Sequence, residues 1–447
     1  MQKNCIRSFS VKKILIVLVL LVLAVFIGAP YVTGKIAQNK LMSLIEDQNT
    51  QYSQLGLTEV IKYDRGFRSS ETEFAFQLEM GLPEFDVASI DYSCDLTHGV
   101  ISVAYKCKLA NKGEFKTFLD TYLGGKDPIF INGDISAFGK MDQTILVDPV
   151  KIQFDDGSVV DLPEKVELDT IHDFNTGKSI FDGELEQLVF EAGSESLKFE
   201  VNSLNLEGQF QESREGLYVG NASVLIDNFQ GEDEQGQLSF DKLKFDTATI
   251  ENDNTVSTSL ALKADTIKFP SPQGDIEKFS AVSFDLGIYG MDADALVEYS
   301  KVSKELQQQM MASANSEQPP MGSMMSLIPA AEKLMKQGFG FNVKSNFQVD
   351  ESMNSLALDV SLVKDLQFSE MMTFLFAPDE ALQNFRGMLD VQITEALLEK
   401  YPQLSFMVSS LPFFEQADNG FSLQVRIDSG LFINGEATSI AELQGMF

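Results

Sequence analysis

The chain contains no tryptophan, two histidines and three cysteines among its 447 residues. Neither His98 nor His172 lies in a nucleophile or metal-binding pattern. No Gly-x-Ser-x-Gly, His-Glu-x-x-His, P-loop or Gly-x-Gly-x-x-Gly motif occurs. Carboxylates are plentiful, but their spacing indicates no catalytic pair. We therefore expect a protein that is not an enzyme, with no catalytic residues, no metal site and no cofactor.

Positive charge is also scarce. The chain has 34 Lys and Arg against 66 Asp and Glu, which gives a net charge of −32. A body this acidic repels nucleic acid and anionic lipid head groups. We therefore expect no nucleic-acid partner and no charge-dependent docking onto a membrane surface.

One long apolar segment stands near the N-terminus. Residues 14–32 carry no charge and follow four basic residues within 1–13. As a helix the run would span roughly 28 Å, close to the hydrocarbon thickness of a bilayer. A cleavable signal peptide is the competing interpretation, but Pro30 follows the only small-residue site, Gly28-Ala29. The basic flank predicts a single-pass inner-membrane protein with its N-terminus in the cytoplasm and its body in the periplasm.

Beyond this segment the periodicity predicts a mainly antiparallel β protein with helical inserts (α+β). Its elongated, curved β-sheet body follows the single transmembrane helix. The expected order is a cytoplasmic flank 1–13, a transmembrane helix 14–32, a juxtamembrane helix 33–56, a β-rich region 57–290, a helical insert 291–338 with a loop at 312–323, and a C-terminal β region 339–447 with a helical stretch at 370–400.

A β-hairpin is predicted around His98-Gly99. A two-residue loop there places Cys94 opposite Val103 and keeps every apolar residue on one face. Cys94 and Cys107 would then stand on non-opposed pairs, beyond the ~7 Å Cα separation that a bridge allows. We therefore expect free thiols, although a different loop length would permit a disulfide.

Apolar alternation changes phase several times in the centre of the chain. The slips fall between Val201 and Leu204, between Phe240 and Leu243, and between Leu262 and Ile267. Such a change requires a bulge, a twist or a strand that moves to another sheet.

Two segments faintly resemble metal sites. Asp173–Gly177 with Glu184 has some spacing of a calcium loop, but Lys178 occupies the position that needs Gly, so we interpret it as a polar turn. A methionine group could bind Cu(I), but we interpret it as adaptable apolar surface on two helices. Its members are Met310, Met311, Met321, Met324 and Met325.

Several short motifs occur in a characteristic order along the chain. Their residues are Tyr31, Thr33 and Gly34, then Tyr63, Arg65, Gly66, Ser69 and Ser70, then His98 and Gly99, and finally Asn434 and Gly435. Together they resemble the YdgA-like family of Gram-negative envelope proteins, whose function is not established. That family usually has Pro after the His-Gly pair, where this chain has Val100. The resemblance implies an inner-membrane protein facing the periplasm and implies no chemistry.

Arg65 is the most informative polar residue among these motifs. Beside Gly66 and followed by two hydroxyl residues, it could grip an acidic partner or a lipid phosphate. The alternative is a glycine turn whose arginine pairs with a local acid. We interpret His98, the first loop residue of its hairpin, as structural.

The leading hypothesis is a non-enzymatic, membrane-anchored periplasmic protein that binds lipid or another apolar ligand along a β-sheet groove. The alternative is a structural or assembly factor that binds a partner envelope protein and has its apolar strand faces covered by helices. An envelope hydrolase is a third interpretation. A homodimer is compatible with the sequence, which names neither ligand nor partner.

Overall fold

A computed structural model describes residues 29–46, 49, 56–82, 87–110, 112–193, 197–233, 236–270, 276–312, 321–367, 370, 378–440 and 442. The chain divides into two compact units, residues 1–186 and 187–447. The predicted transmembrane segment 14–32 lies almost entirely outside the described residues. Within the described part, no helix is both long enough and apolar enough to cross a bilayer.

The first unit is an antiparallel sheet with two helices. Helix α1 covers residues 29–46, and α2 covers Gly113–Tyr122. The strands are β1 (Gly56–Arg65), β2 (Ser69–Leu82), β3 (Val87–His98), β4 (Ser102–Leu109), β5 (Ile129–Ser136), β6 (Lys140–Val147), β7 (Val150–Gln153), β8 (Val159–Leu162), β9 (Val166–Asp173) and β10 (Lys178–Glu191). Strands β1 to β6 pair consecutively, β9 pairs with β6, and β7 and β8 form a hairpin. The division between the units falls within β10.

Helix α1 covers one face of this sheet, because that face and the helix share a hydrophobic core. Ala37 of α1 packs against buried strand residues including Leu96, Val103 and Ile135. These side chains lie at alternate strand positions, so one face of the hairpins is apolar. The juxtamembrane helix predicted at 33–56 is present over 33–46, α1 also includes residues 29–32, and β1 already begins at Gly56. Helix α2, inside the region predicted as β-rich, was missed.

The predicted two-residue loop and free thiols are wrong. His98 pairs with Val103, so the loop has four residues, and the Gly99 amide donates to the Ser102 carbonyl at 2.7 Å. Cys94 then stands directly opposite Cys107, and the two form a disulfide. Relative to the predicted pairs, each residue of β3 faces a residue four positions further along β4, and this even shift keeps the same side chains on the apolar face.

The second unit is also antiparallel. Its strands are β11 (Lys198–Arg214), β12 (Leu217–Asp233), β13 (Gly236–Asn252), β14 (Thr255–Pro270), β15 (Ile276–Asp292), β16 (Gly340–Val349), β17 (Ser352–Leu362), β18 (Phe385–Thr394), β19 (Glu415–Ala417), β20 (Gly420–Asp428), β21 (Leu431–Ile433) and β22 (Glu436–Thr438). Its helices are α3 (Ala293–Ala312), α4 (Met321–Leu334), α5 (Pro378–Ala381), α6 (Glu395–Lys400) and α7 (Pro402–Ser410), with a 3₁₀ turn at Leu382–Asn384. Strands β11 to β18 pair in chain order, and β20 follows β18. The prediction of a mainly antiparallel β protein with helical inserts is confirmed.

The phase slips lie in one line across five strands. Ser203, Lys242 and Ala281 have left-handed φ values of 55°, 50° and 47° in alternate strands β11, β13 and β15. Pairing continues in the same register on both sides of the line, as at Asn202 with Asn228 and Leu204 with Ile226. The slips are therefore local backbone irregularities, and none of these strands leaves the sheet.

The predicted helical stretch at 370–400 is wrong in its centre. Strand β18 occupies Phe385–Thr394 and pairs with β17 on one side and β20 on the other. Helical turns flank it at α5 and α6. The predicted insert at 291–338 does contain α3 and α4, and residues 313–320 between them are outside the described part.

Candidate functional site

The motif residues of the first unit meet at residues 31–34 of α1. We call Tyr31, Thr33, Gly34, Tyr63, Arg65, Gly66, Ser69, Ser70, His98 and Gly99 the motif cluster. The Thr33 hydroxyl donates to the Gly99 carbonyl at 2.7 Å, which joins α1 to the β3–β4 loop. Gly34 lies against the His98 ring, and a Cβ atom there would stand 2.4 Å from the ring. Glycine therefore allows the helix to approach the imidazole.

His98 is buried under the helix and fully engaged. Its Nε2 lies 2.8 Å from Ser70 Oγ, and its Nδ1 lies 3.4 Å from the Phe67 carbonyl. Since a carbonyl can only accept, Nδ1 carries the proton and Nε2 accepts from the Ser70 hydroxyl. A Ser–His pair resembles part of a nucleophilic site, but both side chains are buried (3% and 5% exposed). The arrangement supports the structural interpretation of His98.

Tyr63 lies beside this pair. Burial raises the pKa of its hydroxyl above the usual value, and Ser70 and the Arg65 charge partly offset that rise. Its ring packs against the core that includes Ala37 and Leu96. Tyr63 therefore belongs to the contact between α1 and the sheet.

Arg65 is exposed and has uncharged partners. Its guanidinium donates to the Tyr31 hydroxyl at 2.8 Å and to Gln38 Oε1 at 3.4 Å, and it lies 4.7 Å from the centroid of the Tyr31 ring. Among the described residues no carboxylate lies within 4.0 Å of it. The described contacts of Arg65 therefore do not include the ion pair with a local acid that the alternative interpretation requires.

Gly66, Ser69, Asn434 and Gly435 are turn residues. The Gly66 amide donates to the Ser69 carbonyl at 2.8 Å and closes the β1–β2 turn. Asn434 and Gly435, in the second unit, adopt left-handed φ values between β21 and β22. The Asn434 side chain accepts from the Gln424 amide and donates to the Phe413 carbonyl. These two residues therefore fix a hairpin and are not part of the motif cluster.

Two segments resembled metal sites in the sequence, and the structure describes the side chains of the first of them. Phe174–Gly177 forms the turn between β9 and β10, and the Asp173 carboxylate accepts from the Asn175 amide at 2.8 Å, which confirms the polar turn. The side chains of the methionine group lie outside the described part. No group of three or more metal-binding side chains occurs among the described residues.

The second unit presents a surface that no motif indicated. On strands β11 to β18 and β20, residues opposite one another form rows across the sheet, and we call three adjacent rows the apolar face. The first row is Leu206, Val224, Phe245, Leu262, Phe284, Ser345, Leu356, Val391 and Leu423. The second is Gly208, Ala222, Thr247, Leu260, Leu286, Val343, Leu358, Leu389 and Val425. The third is Phe210, Gly220, Thr249, Thr258, Ile288, Phe341, Val360, Gly387 and Ile427.

The opposite face has different chemistry. Between the first two rows runs a row whose side chains point the other way. It consists of Glu207, Ser223, Asp246, Ala261, Asp285, Lys344, Ala357, Asp390 and Gln424. The sheet therefore has one apolar face and one polar, charged face.

The apolar face is open in the described part of the chain. Phe284 and Leu356 are each 37% exposed, and Ile288 and Phe341 are exposed to a similar degree. Helix α3 instead packs near the strand ends, where Leu217, Val256 and Met291 form a small core with Ala293. The assembly alternative requires helices that cover all the apolar strand faces. Among the described residues, the helices do not cover all of them.

A family model described as a bacterial protein of unknown function (DUF945) matches residues 11–410. The match fits the expected membership of a family without established function. No curated protein and no solved structure matches the chain.

Proposed function

We propose a function for this chain, which belongs to the bacterial family DUF945, whose function is unknown. In this proposal the protein is anchored in the bacterial inner membrane by residues 14–32 and holds its body in the periplasm. There it binds a lipid acyl chain, or a ligand of the same apolar chemistry, on the apolar face. No chemical conversion of that ligand is proposed.

The exposure of the apolar face carries the proposal. Its rows cross nine strands, about 38 Å at the usual spacing of ~4.8 Å between strands. Large exposed apolar patches on soluble units are typical of ligand or partner sites, because leaving them in water is costly. Each methylene group of a chain that is buried there would contribute about 0.8 kcal/mol.

An apolar chain suits this face better than a charged ligand does. The rows contain no charged side chain and few hydroxyl groups, so little on them recognises a polar group. The protein's net charge of −32 also repels anions. The proposed ligand is therefore recognised by its hydrocarbon part.

The anchor rests on the uncharged run 14–32 and its basic flank. The motif cluster supports it, because Thr33 and Gly34, directly after that run, hold α1 against the sheet of the first unit. If residues 14–32 span the bilayer, these contacts hold the first unit next to it.

Photo-crosslinking with a diazirine-bearing fatty acid in cells tests the ligand site. The full-length protein should be labelled on peptides from β15 and β17. Replacing Phe284 and Leu356 by Gln should abolish labelling, because both residues are exposed on the apolar face. The matched control replaces their neighbours Asp285 and Ala357 by Gln on the opposite face and should retain labelling.

Equal labelling of the two double variants, or none in the unmodified protein, would overturn the ligand proposal. If a partner protein were crosslinked at Phe284 in place of lipid, the assembly alternative would be supported instead. The anchor is tested separately by a phosphatase fused after Phe447, which should be active only if the body is exported.

A further inference from the structure

The loops beside residues 31–34 of α1 form an exposed apolar surface. Phe67, Ile101 and Phe138 lie in the turns β1–β2, β3–β4 and β5–β6, and they are 49%, 60% and 73% exposed. Tyr31 and Val32 of α1 are 43% and 54% exposed. Together we call these five residues the loop surface.

Hydrogen bonds hold the three turns at one end of the sheet. The His98 amide donates to the Arg68 carbonyl, and the Ala137 amide donates to the Ile101 carbonyl at 2.7 Å. The Tyr31 ring also stacks on Phe67, with their centroids 6.1 Å apart. The loop surface is therefore built on a rigid scaffold.

Arginines border this surface. Arg65 contacts Tyr31, and Arg68 lies in the same turn as Phe67. Neither guanidinium has a carboxylate within 4.0 Å among the described residues. Aromatic rings with neighbouring basic side chains are typical of the level where a protein meets lipid head groups.

The position of the loop surface in the chain identifies its partner. The predicted transmembrane segment 14–32 ends at Val32, and the hydroxyl of the next residue, Thr33, donates to the carbonyl of Gly99. If the run spans the bilayer, the β3–β4 loop lies at the level where the chain leaves it. Phe67 and Ile101 are then within reach of the lipid interface.

We propose that the loop surface inserts shallowly into the outer face of the inner membrane, with Phe67, Ile101 and Phe138 at the boundary between head groups and acyl chains and Arg65 and Arg68 at the phosphates. The proposal rests on the proposed anchor. It depends on apolar insertion and not on net charge, so zwitterionic lipid suffices. It would orient the first unit on the membrane.

The absence of tryptophan from the chain provides a clean test. The full-length protein is placed in phosphatidylcholine vesicles containing lipids brominated near the carbonyl end of their acyl chains. Two variants, Phe67→Trp and Phe138→Trp, carry the reporter on the loop surface. Phe130→Trp is the matched control, because Phe130 lies at the other end of β5, six residues and about 20 Å along an extended strand from Ser136, which precedes the turn that holds Phe138.

We expect brominated lipid to quench the reporters at positions 67 and 138 and to leave the one at position 130 unquenched. Lipids brominated deeper should quench the first two less. Adding Ile101→Glu to Phe138→Trp should remove the quenching, since a charge at this level opposes insertion. Equal quenching at positions 138 and 130, or quenching that Ile101→Glu does not reduce, would overturn the proposal.

Flotation of the same vesicles separates failure of the docking from failure of the anchor. Protein that floats with the vesicles but shows no quenching at positions 67 and 138 refutes the docking alone. Protein that does not float refutes the anchor, and the docking proposal is overturned with it.

Discussion

Removing the disulfide should destabilise the first unit by a predictable amount. The bond joins Cys94 and Cys107, 13 residues apart. Closing a loop of this length removes chain entropy from the unfolded state that is worth about 3 kcal/mol. In the variant Cys94→Ala/Cys107→Ala we therefore expect the free energy of unfolding to fall by about 3 kcal/mol. Each substitution removes a single sulfur atom, so the added packing loss is modest.

Urea unfolding measures this loss. A Phe130→Trp background places the single tryptophan of the chain in β5 and reports on the first unit. With a slope of ~1–3 kcal/mol per molar urea, the midpoint should fall by about 1–3 M. The reduced protein with both cysteines present should unfold like the double alanine variant.

Two results would refute this reasoning. Alkylation of both cysteines in the unreduced, denatured protein would show that the bond is absent and would restore the two-residue loop. An unchanged midpoint in the alanine variant would show that the bond does not constrain the unfolded chain as calculated.

Three further predictions concern single side chains. Gly34→Ala should cost about 1–3 kcal/mol of stability through overpacking against His98, and the cost should disappear in a His98→Ala background when both are followed by urea unfolding. Arg65→Ala should change the free energy of unfolding by less than about 1 kcal/mol because the side chain is exposed and has neutral partners; a loss of ~3–5 kcal/mol would instead indicate a buried carboxylate partner. Asp292→Ala should destabilise α3 by about 1 kcal/mol, seen as faster amide exchange, because Asp292 accepts from the Ala295 amide at 2.9 Å. That hydrogen bond holds the pKa of Asp292 below its ordinary value. The difference in stability between Asp292→Ala and the unmodified protein should therefore be full at neutral pH and should vanish as the pH falls through the lowered pKa. A stability difference that persists in strong acid would contradict this.

The sequence alone was sufficient for the fold class. Alternation such as Cys94, Leu96 and then Val103, Tyr105 is a local pattern with a period of two, and it predicts a half-buried antiparallel strand wherever that strand pairs. The phase slips were also visible, because a change of parity between Val201 and Leu204 requires an irregular backbone. The helices that flank residues 313–320 were also predicted, because helical periodicity is likewise a local pattern.

Register and several element boundaries depended on tertiary contacts. Loops of two and four residues at His98-Gly99 place the same side chains on the apolar face, so periodicity could not choose between them and the disulfide was missed. Strand β18 was interpreted as helix because its pairing with β17 and β20, distant along the chain, decides its conformation. Helix α2 has Phe115, Leu119 and Tyr122 at helical spacing, a local signal that was available but was overlooked inside a β-rich region.

The candidate sites show the same division. The sequence identified the motif residues one by one, but only the fold brings Thr33, Gly34, Ser70 and His98 into contact. Alternation predicted one apolar face for each strand without indicating whether another layer covers it. Coverage depends on how distant segments pack, whereas side-chain alternation depends only on neighbours along the chain. For that reason the open apolar face and the exposed loop surface could be recognised only in the tertiary structure.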